Sequence, residues 1–233
     1  AGRVIRNLDL TVSTPGWMQE CLRRSGLRSL GPAVDVTNYV LLEMGQPMHA
    51  FDLSSISGGV TVRMGKEELL SLLDDSEVTV DRNTLVISDN EKVLALAGIM
   101  GGSESSVSSS TTDIFFESAW FNPLALAGRA RYFGKHTDSS HRFERGVDSD
   151  LQVSAIERAT ALILKICGGS AGPVVVEESP SHLPKPVEIK LRDCRLRQQL
   201  GVSIPADEVD DMLVRLGLVL SLIHISEPTR LNP

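Results

Sequence analysis

The sequence predicts an α+β fold: an antiparallel, β-rich domain with packed helices, followed by a small α+β domain that is cut short. Three observations predict it. Apolar residues recur at helical spacing over 15–26, 33–44 and 151–166. Between Val60 and Ala97 the period changes to two, with polar turn segments at Asp81-Arg82-Asn83 and Asp89-Asn90-Glu91. Around 178–186, ESPSHLPKP carries Pro180, Pro184 and Pro186 and reads as an inter-domain linker.

Residues 1–13, with Val4, Ile5, Leu8, Leu10 and Val12, read as a strand. Thr14 and Pro15 suit the start of a helix bearing Met18, Cys21 and Leu22, and Gly26 lies just past its end. Ala33–Met44 reads as a second helix closed by Gly45 and Pro47. The alternating segments from Val60 to Ala97 form an antiparallel meander, which Gly98, Gly101 and Gly102 close. SESSVSSSTT (103–112) is a polar loop, expected to be mobile. Ile114–Phe116 reads as a buried strand ending at Glu117, and Asn122-Pro123 as the start of a helix through Arg131. Residues 132–150 look like loop. An amphipathic helix from Leu151 to Ile166 ends at Gly168-Gly169. After the linker come a strand (Val187–Leu191), a helix (Asp193–Leu200) and a second helix with Pro205 in its first turn and Gly217 as its stop.

Composition narrows the function. At 233 residues, 42% hydrophobic and 23% charged, the chain falls in the globular range. A net charge of −7 argues against a surface that grips nucleic acid throughout, though not against a local basic site. No stretch approaches the roughly 18 apolar residues of a membrane span, so no membrane partner is expected. Cys21, Cys167 and Cys194 are far apart and form no CxxC pair, which fits buried thiols in a reducing, cytoplasmic compartment. The start at Ala1, without Met or a signal segment, points to a fragment or a processed chain.

Several familiar chemistries find no support. The Gly98–Gly102 cluster lacks the Lys-Ser/Thr and the spacing of a phosphate loop and reads as a tight turn. His136 and His141 have no nearby cysteine, so no metal site is expected. No serine stands in a nucleophile elbow, and no cysteine has a local activating partner. A stronger signal is GRARYFGKHTDSSHRFERGVD (128–148). There Arg129, Arg131, Lys135, Arg142 and Arg145 stand against Asp138 and Glu144, with Tyr132 and Phe133 interleaved. That pattern suits a nucleic-acid backbone and a stacked base. It equally describes a solvated, salt-bridged loop. Glu117, between IFF and AWF, is either capped by backbone N–H groups or aimed at a ligand. His49, in QPMHAFD, is either a structural histidine of a polar turn or a catalytic one.

Three long motifs in order carry a resemblance: VDVTNYVLLEMGQPMHAFD (34–52), LALAGIMGG (94–102) and GRARYFGKHTDSSHRFERGVD (128–148). Over roughly residues 1–220 the chain resembles the bacterial phenylalanyl-tRNA synthetase β-subunit family. The resemblance implies that 1–178 is an editing domain and that 185–220 begins a winged-helix-like domain. The tail 221–233 departs from the family pattern and reads as non-native sequence.

In that family, ATP-dependent formation of Phe-tRNA needs an α subunit, in a heterotetramer, and Mg²⁺. The editing domain hydrolyses misacylated Tyr-tRNA(Phe). The resemblance implies neither cofactor nor metal in this stretch, tRNA(Phe) rather than DNA as the nucleic acid, and the α subunit as partner. It puts Glu117 on the residue that reads the tyrosine hydroxyl and Thr137 and Ser139 on pocket positions, with serine where many relatives have alanine. His49 falls beside the scissile ester, Asn38 in the same site, and Gly101 where a missing side chain leaves room for the ligand. The expected chemistry is attack by a positioned water. His49 and Thr137 are its candidate catalytic residues, and backbone N–H groups of 98–102 could hold the oxyanion. Glu117, Ser139, Gly101 and Asn38 would bind substrate, and Arg129, Arg131, Lys135 and Arg142 would bind tRNA. Two alternatives compete: a tRNA-binding or structural module that has lost editing, and a generic α+β scaffold. Convergence of His49, Glu117 and Thr137 on one cleft separates the site readings from the scaffold.

Overall fold

In the computed structural model, which describes residues 1–185 and 187–221, the chain divides into two units, Ala1–Pro184 and one beginning at Lys185. The first unit has ten strands: β1 (Gly2–Arg6), β2 (Met48–Asp52), β3 (Thr61–Met64), β4 (Glu68–Ser71), β5 (Glu77–Val80), β6 (Leu85–Ser88), β7 (Val93–Leu96), β8 (Met100–Gly101), β9 (Ile114–Ser118) and β10 (Ser170–Ala171). Its helices are α1 (Gly16–Arg24), α2 (Pro32–Met44), α3 (Pro123–Leu126), α4 (Arg129–Tyr132), α5 (Asp138–Phe143) and α6 (Gln152–Cys167).

Two antiparallel sheets stack. The first has the order β10-β1-β9-β2 and the second β3-β6-β7-β8. Side chains on a strand alternate between faces, and here both faces are used. Ile5, Met48, Ala50, Ile114 and Phe116 face α1, α2 and α6 and pack on Met18, Leu22, Val36, Val40, Ile156 and Ile163. From the opposite face, Phe51 and Phe115 meet Ile87, Leu94 and Ala97 of the second sheet, with Phe121 and Phe143 filling in. The β4–β5 hairpin packs on the outer side of the second sheet through Leu70, Leu72 and Val80. This is a mixed α+β fold with antiparallel sheets.

The structure amends several sequence expectations. β1 stops at Arg6 because Asn7 turns left-handed (φ +58°), yet Leu8 and Leu10 stay buried beyond it. Thr14 does not cap α1; its hydroxyl donates to the buried Asp35 at 2.5 Å. The meander is interrupted, since β3 pairs with β6 and the hairpin is inserted between them. The serine-rich loop is tied down. Ser105 Oγ donates to Leu94 O (3.2 Å) and Thr111 Oγ1 to Asp52 (2.5 Å). The helix expected through Arg131 breaks into α3 and α4 at Gly128, whose φ of +75° a side chain disfavours. The segment read as loop at 132–150 holds α5, nucleated by a capping box between Thr137 and Ser140. Cys167 is buried, and burial pushes its thiol up to about 11, but Cys21 and Cys194 are exposed.

In the second unit, α7 (Asp193–Leu200) and α8 (Ala206–Arg215) form as expected, with Pro205 preceding α8. Val187–Leu191 forms no strand; it alternates correctly but is exposed and pairs with nothing among the described residues. The reading of 221–233 as non-native falls, from 222 onward, outside the described residues. Among the described residues no helix is long and apolar enough to cross a membrane.

Candidate functional site

β9 lies between β1 and β2, and its register sets Glu117 directly opposite His49 on one side and Gly2 on the other. Directly opposed residues on antiparallel strands share a face with Cβ atoms about 4.5–5.5 Å apart. Here it is the face toward the second sheet, where Phe51 and Phe115 also lie. A pocket of about 50 Å³, room for a few waters, opens between the sheets. His49, Glu117, Gly101 and Ser139 line it together, with Pro47, Met48, Gly98–Met100, Phe121 and Phe143.

The two ionisable groups are left wanting. Glu117 Oε1 and His49 Nε2 are buried with no hydrogen-bond partner. Removal from water pushes the Glu117 carboxyl up to about 7. The same desolvation drops the His49 imidazole to about 4, so it is neutral at ordinary pH. The ring meets Phe51 edge-on at 4.4 Å. Its other side rests on Gly101, where a Cβ would fall 2.4 Å from Cε1 and 2.6 Å from Nε2. Gly101 therefore gives room to the imidazole itself.

Other predicted residues stand outside the lining. Thr137 Oγ1 donates to Ile99 O (2.8 Å) and accepts from Ser140 N (3.0 Å), so it caps α5 and ties it to the turn before β8. Asn38 is half-buried on α2. The expected oxyanion donors are partly spent: Ile99 N bonds Leu96 O (3.0 Å) and Gly102 N bonds Leu94 O (2.8 Å). Three of the five cations of the basic segment are paired with carboxylates. Arg129 pairs with Asp81 (3.2 Å) and lies over the Tyr132 ring, Lys135 pairs with Asp74 (2.5 Å) and bonds Ser76 (2.6 Å), and Arg142 pairs with Asp138 (3.0 Å). Arg131 is exposed.

Sequence reasoning missed the walls. Phe121, Phe143 and Ile87 were not singled out, and Leu73, at the tip of the β4–β5 hairpin, carried no signal. Its Cδ1 would lie 3.2 Å from a Gly101 Cβ, and its N–H bonds Gly101 O at 3.1 Å. Among the described residues no group of three or more His, Cys, Asp or Glu is placed to hold a metal ion.

Stacked antiparallel sheets backed by helices, with a pocket between them lined by a carboxyl and an imidazole, define a mixed α+β domain. The chain belongs to the B3/4 domain family, whose profile matches residues 1–168. It is 58% identical over 218 residues to the phenylalanine–tRNA ligase beta subunit of Methylococcus capsulatus, covering 93% of this chain and 28% of that protein. The beta subunit from Nitrosococcus oceani is 54% identical, over 96% of this chain and 28% of its own length. The chain thus spans little more than a quarter of these relatives. A crystal structure of an N-terminal fragment of the phenylalanyl-tRNA synthetase beta subunit from Pyrococcus horikoshii aligns with 92% of this chain and 59% of that chain, at 15% identity and a TM-score of 0.45.

Proposed function

We propose that this chain forms part of the β subunit of a cytoplasmic phenylalanine–tRNA ligase, and that residues 1–178 hydrolyse misacylated Tyr-tRNA(Phe). The α subunit and tRNA(Phe) are then its partners, and ATP and Mg²⁺ serve the ligation carried out elsewhere in the assembly. The reading is carried by one observation: Glu117 and His49 face each other across β9 and β2, each with a buried polar atom that no protein group satisfies. Such groups cost about 1–3 kcal/mol each when left unpaired, so a ligand that completes them is bound selectively.

The physics of discrimination follows. An apolar synthetic pocket rejects an added hydroxyl weakly, whereas a site that hydrogen-bonds that hydroxyl rejects the analogue lacking it by several orders of magnitude. Glu117 would accept the tyrosine O–H; phenylalanine leaves the carboxyl stranded. Ser139, on the wall formed by α5, limits the space beside it. His49, holding a proton only below about pH 4, is a weak proton acceptor at neutral pH. Its role is to orient the attacking water or the ester through Nε2. Thr137 supports the wall through its bonds to Ile99 and Ser140. Arg131 is the cation readiest for the tRNA backbone, while Arg129, Lys135 and Arg142 must exchange a carboxylate for a phosphate. A tRNA-binding module without editing is the second reading, favoured by a pocket that must widen before it admits an aromatic side chain.

The test is deacylation of Tyr-tRNA(Phe) and Phe-tRNA(Phe) by an assembled ligase carrying these residues, beside its Glu117→Ala variant. Preferential release of tyrosine, lost in the variant, is the expected result. Equal hydrolysis of both esters by both enzymes removes the hydroxyl-reading role. Intact tRNA binding with no hydrolysis selects the second reading.

A further inference from the structure

We infer that Gln46 is a positioning residue for the pocket, fixing the separation of the strands that carry His49 and Glu117; as a statement about catalysis, this rests on the hydrolytic reading above. The argument begins with a gap in the β2–β9 ladder. Met48 pairs with Ser118 and His49 with Glu117, so the next pair outward sets Pro47 against Ala119. Proline has no N–H to donate. The backbone of Pro47 therefore cannot serve the Ala119 carbonyl, and the pairing would fray beside the pocket that Pro47 and Met48 line.

The Gln46 side chain closes the gap. Its Nε2 donates to Ala119 O at 2.8 Å and to Pro47 O at 3.0 Å, which uses both amide hydrogens. Its Oε1 accepts from Gln152 Nε2 at 3.1 Å, and Gln152 also donates to Asp148 O at 2.8 Å. Gln46 is fully buried. A buried carboxamide with both N–H groups donated and its oxygen accepting resists displacement, because any movement strands several polar groups at once. One side chain thus bridges the chain entering β2 and the chain leaving β9. His49 and Glu117 stand one ladder position inside Met48 and Ser118. Holding the strand ends together holds these side chains at a fixed spacing and keeps water from entering along the frayed edge.

The experiment pairs two readouts. Carbon NMR follows the Glu117 carboxyl titration in the ligand-free 233-residue chain. The ratio of kcat/KM for Tyr-tRNA(Phe) over Phe-tRNA(Phe) is measured in the assembled ligase. The variants are Gln46→Met, which keeps length but no hydrogen bond, and Gln46→Glu, which keeps an acceptor for Gln152 and loses both donors as the carboxylate. Ile163→Val, in the core behind the first sheet, is the control that lowers stability without touching this end of the ladder. Gln46→Met is expected to move the Glu117 midpoint toward the ordinary carboxylate range, whereas the carboxylate that Gln46→Glu adds nearby pushes it the other way. Both variants should also cut the Tyr/Phe ratio tenfold or more, since small misplacements at a site have effects of about 100-fold. The control should move neither. A Glu117 midpoint unchanged in folded Gln46→Met overturns the inference, as does an equal shift in Ile163→Val. If the unaltered ligase hydrolyses neither ester, the hydrolytic reading fails by itself, and the titration still decides whether Gln46 sets the pocket.

Discussion

The pocket and the basic segment 128–148 treat their polar groups in opposite ways. Glu117 and His49 are half-buried, and Glu117 Oε1 and His49 Nε2 are enclosed without a hydrogen-bond partner. In the basic segment, Arg129, Lys135 and Arg142 each hold a carboxylate, and Arg145 donates to the His141 carbonyl at 2.9 Å. A region whose hydrogen-bonding capacity is spent internally gains little from a visitor. A region that keeps polar atoms enclosed and unpaired is destabilised until a partner arrives. The contrast separates scaffold from site more sharply than charge density does. The segment 128–148 has three of its five cations held by carboxylates. Two of its pairs, to Asp74 and Asp81, reach onto the β4–β5 hairpin, whose Leu73 touches the Gly101 turn.

The comparison breaks most visibly at Gly101. A side chain there would fall 2.4 Å from the imidazole, which packs edge-on against Phe51, and 3.2 Å from Leu73. Gly101→Val is expected to reduce Tyr-tRNA hydrolysis by about two orders of magnitude, with a lowered melting temperature in circular dichroism. Full activity in that variant means the imidazole does not rest where the structure puts it.

Next in size is the pH dependence of stability. The folded Glu117 carboxyl titrates near 7 against an ordinary 4.5. The folded chain therefore binds more protons than the unfolded chain between those values, and stability is lost as the pH rises through about 7. Glu117→Gln removes that loss. Relative to the parent it should gain on the order of 3 kcal/mol between pH 4.5 and pH 8 in urea unfolding. His49 works in reverse: its folded value near 4, against 6.5, costs stability as the pH falls through that window. A Glu117→Gln difference that is flat with pH shows that the carboxyl is solvated in the folded chain.

Smaller effects belong to the satisfied region. Lys135→Gln releases Asp74 and Ser76, so amide exchange in β4 and β5 should quicken while that of β9 does not. Raising the salt concentration should do the same more weakly in the unaltered chain. Unchanged exchange in the hairpin assigns its hold to Leu70 and Leu72 alone. Smallest of all, Arg142→Gln loses an exposed i,i+4 pair with Asp138 and should alter stability by no more than about 0.5 kcal/mol in chemical denaturation.

Much of this was legible in the sequence, and the gaps have physical reasons. Helices with one apolar stripe, such as α2 and α6, announced themselves through period and end signals. Strand β2 did not, because MHAFD is packed on both faces: Met48 and Ala50 toward the helices, Phe51 toward the second sheet. No alternation of polar with apolar survives that arrangement, and the segment reads as a turn. Helix α5 was hidden by its length and by serine where a capping box more often has glutamate, although Thr137 and Ser140 held the signal. Val187–Leu191 erred the other way, since period two shows only that a strand could form, and here no partner receives it. At the site, the resemblance singled out Glu117, His49, Gly101 and Ser139, which line one pocket. Thr137 and Asn38 stand beyond it, and the ion pairs of the basic segment were invisible because Asp74 and Asp81 are remote in sequence.

The strand order β10-β1-β9-β2 has a kinetic consequence. Its central pairings join Gly2 to Glu117 and His49 to Glu117 across long stretches of intervening chain. Loop-closure entropy must be met before such contacts return anything, so sheets of this topology form slowly and late. The hairpin β4–β5 and helix α6 can form early from local contacts, but the pocket cannot. A nascent or partly unfolded chain holds no half-built version of it. Glu117 and His49 come face to face only when the sheet closes, and a fault that opens β9 removes the whole site in one step.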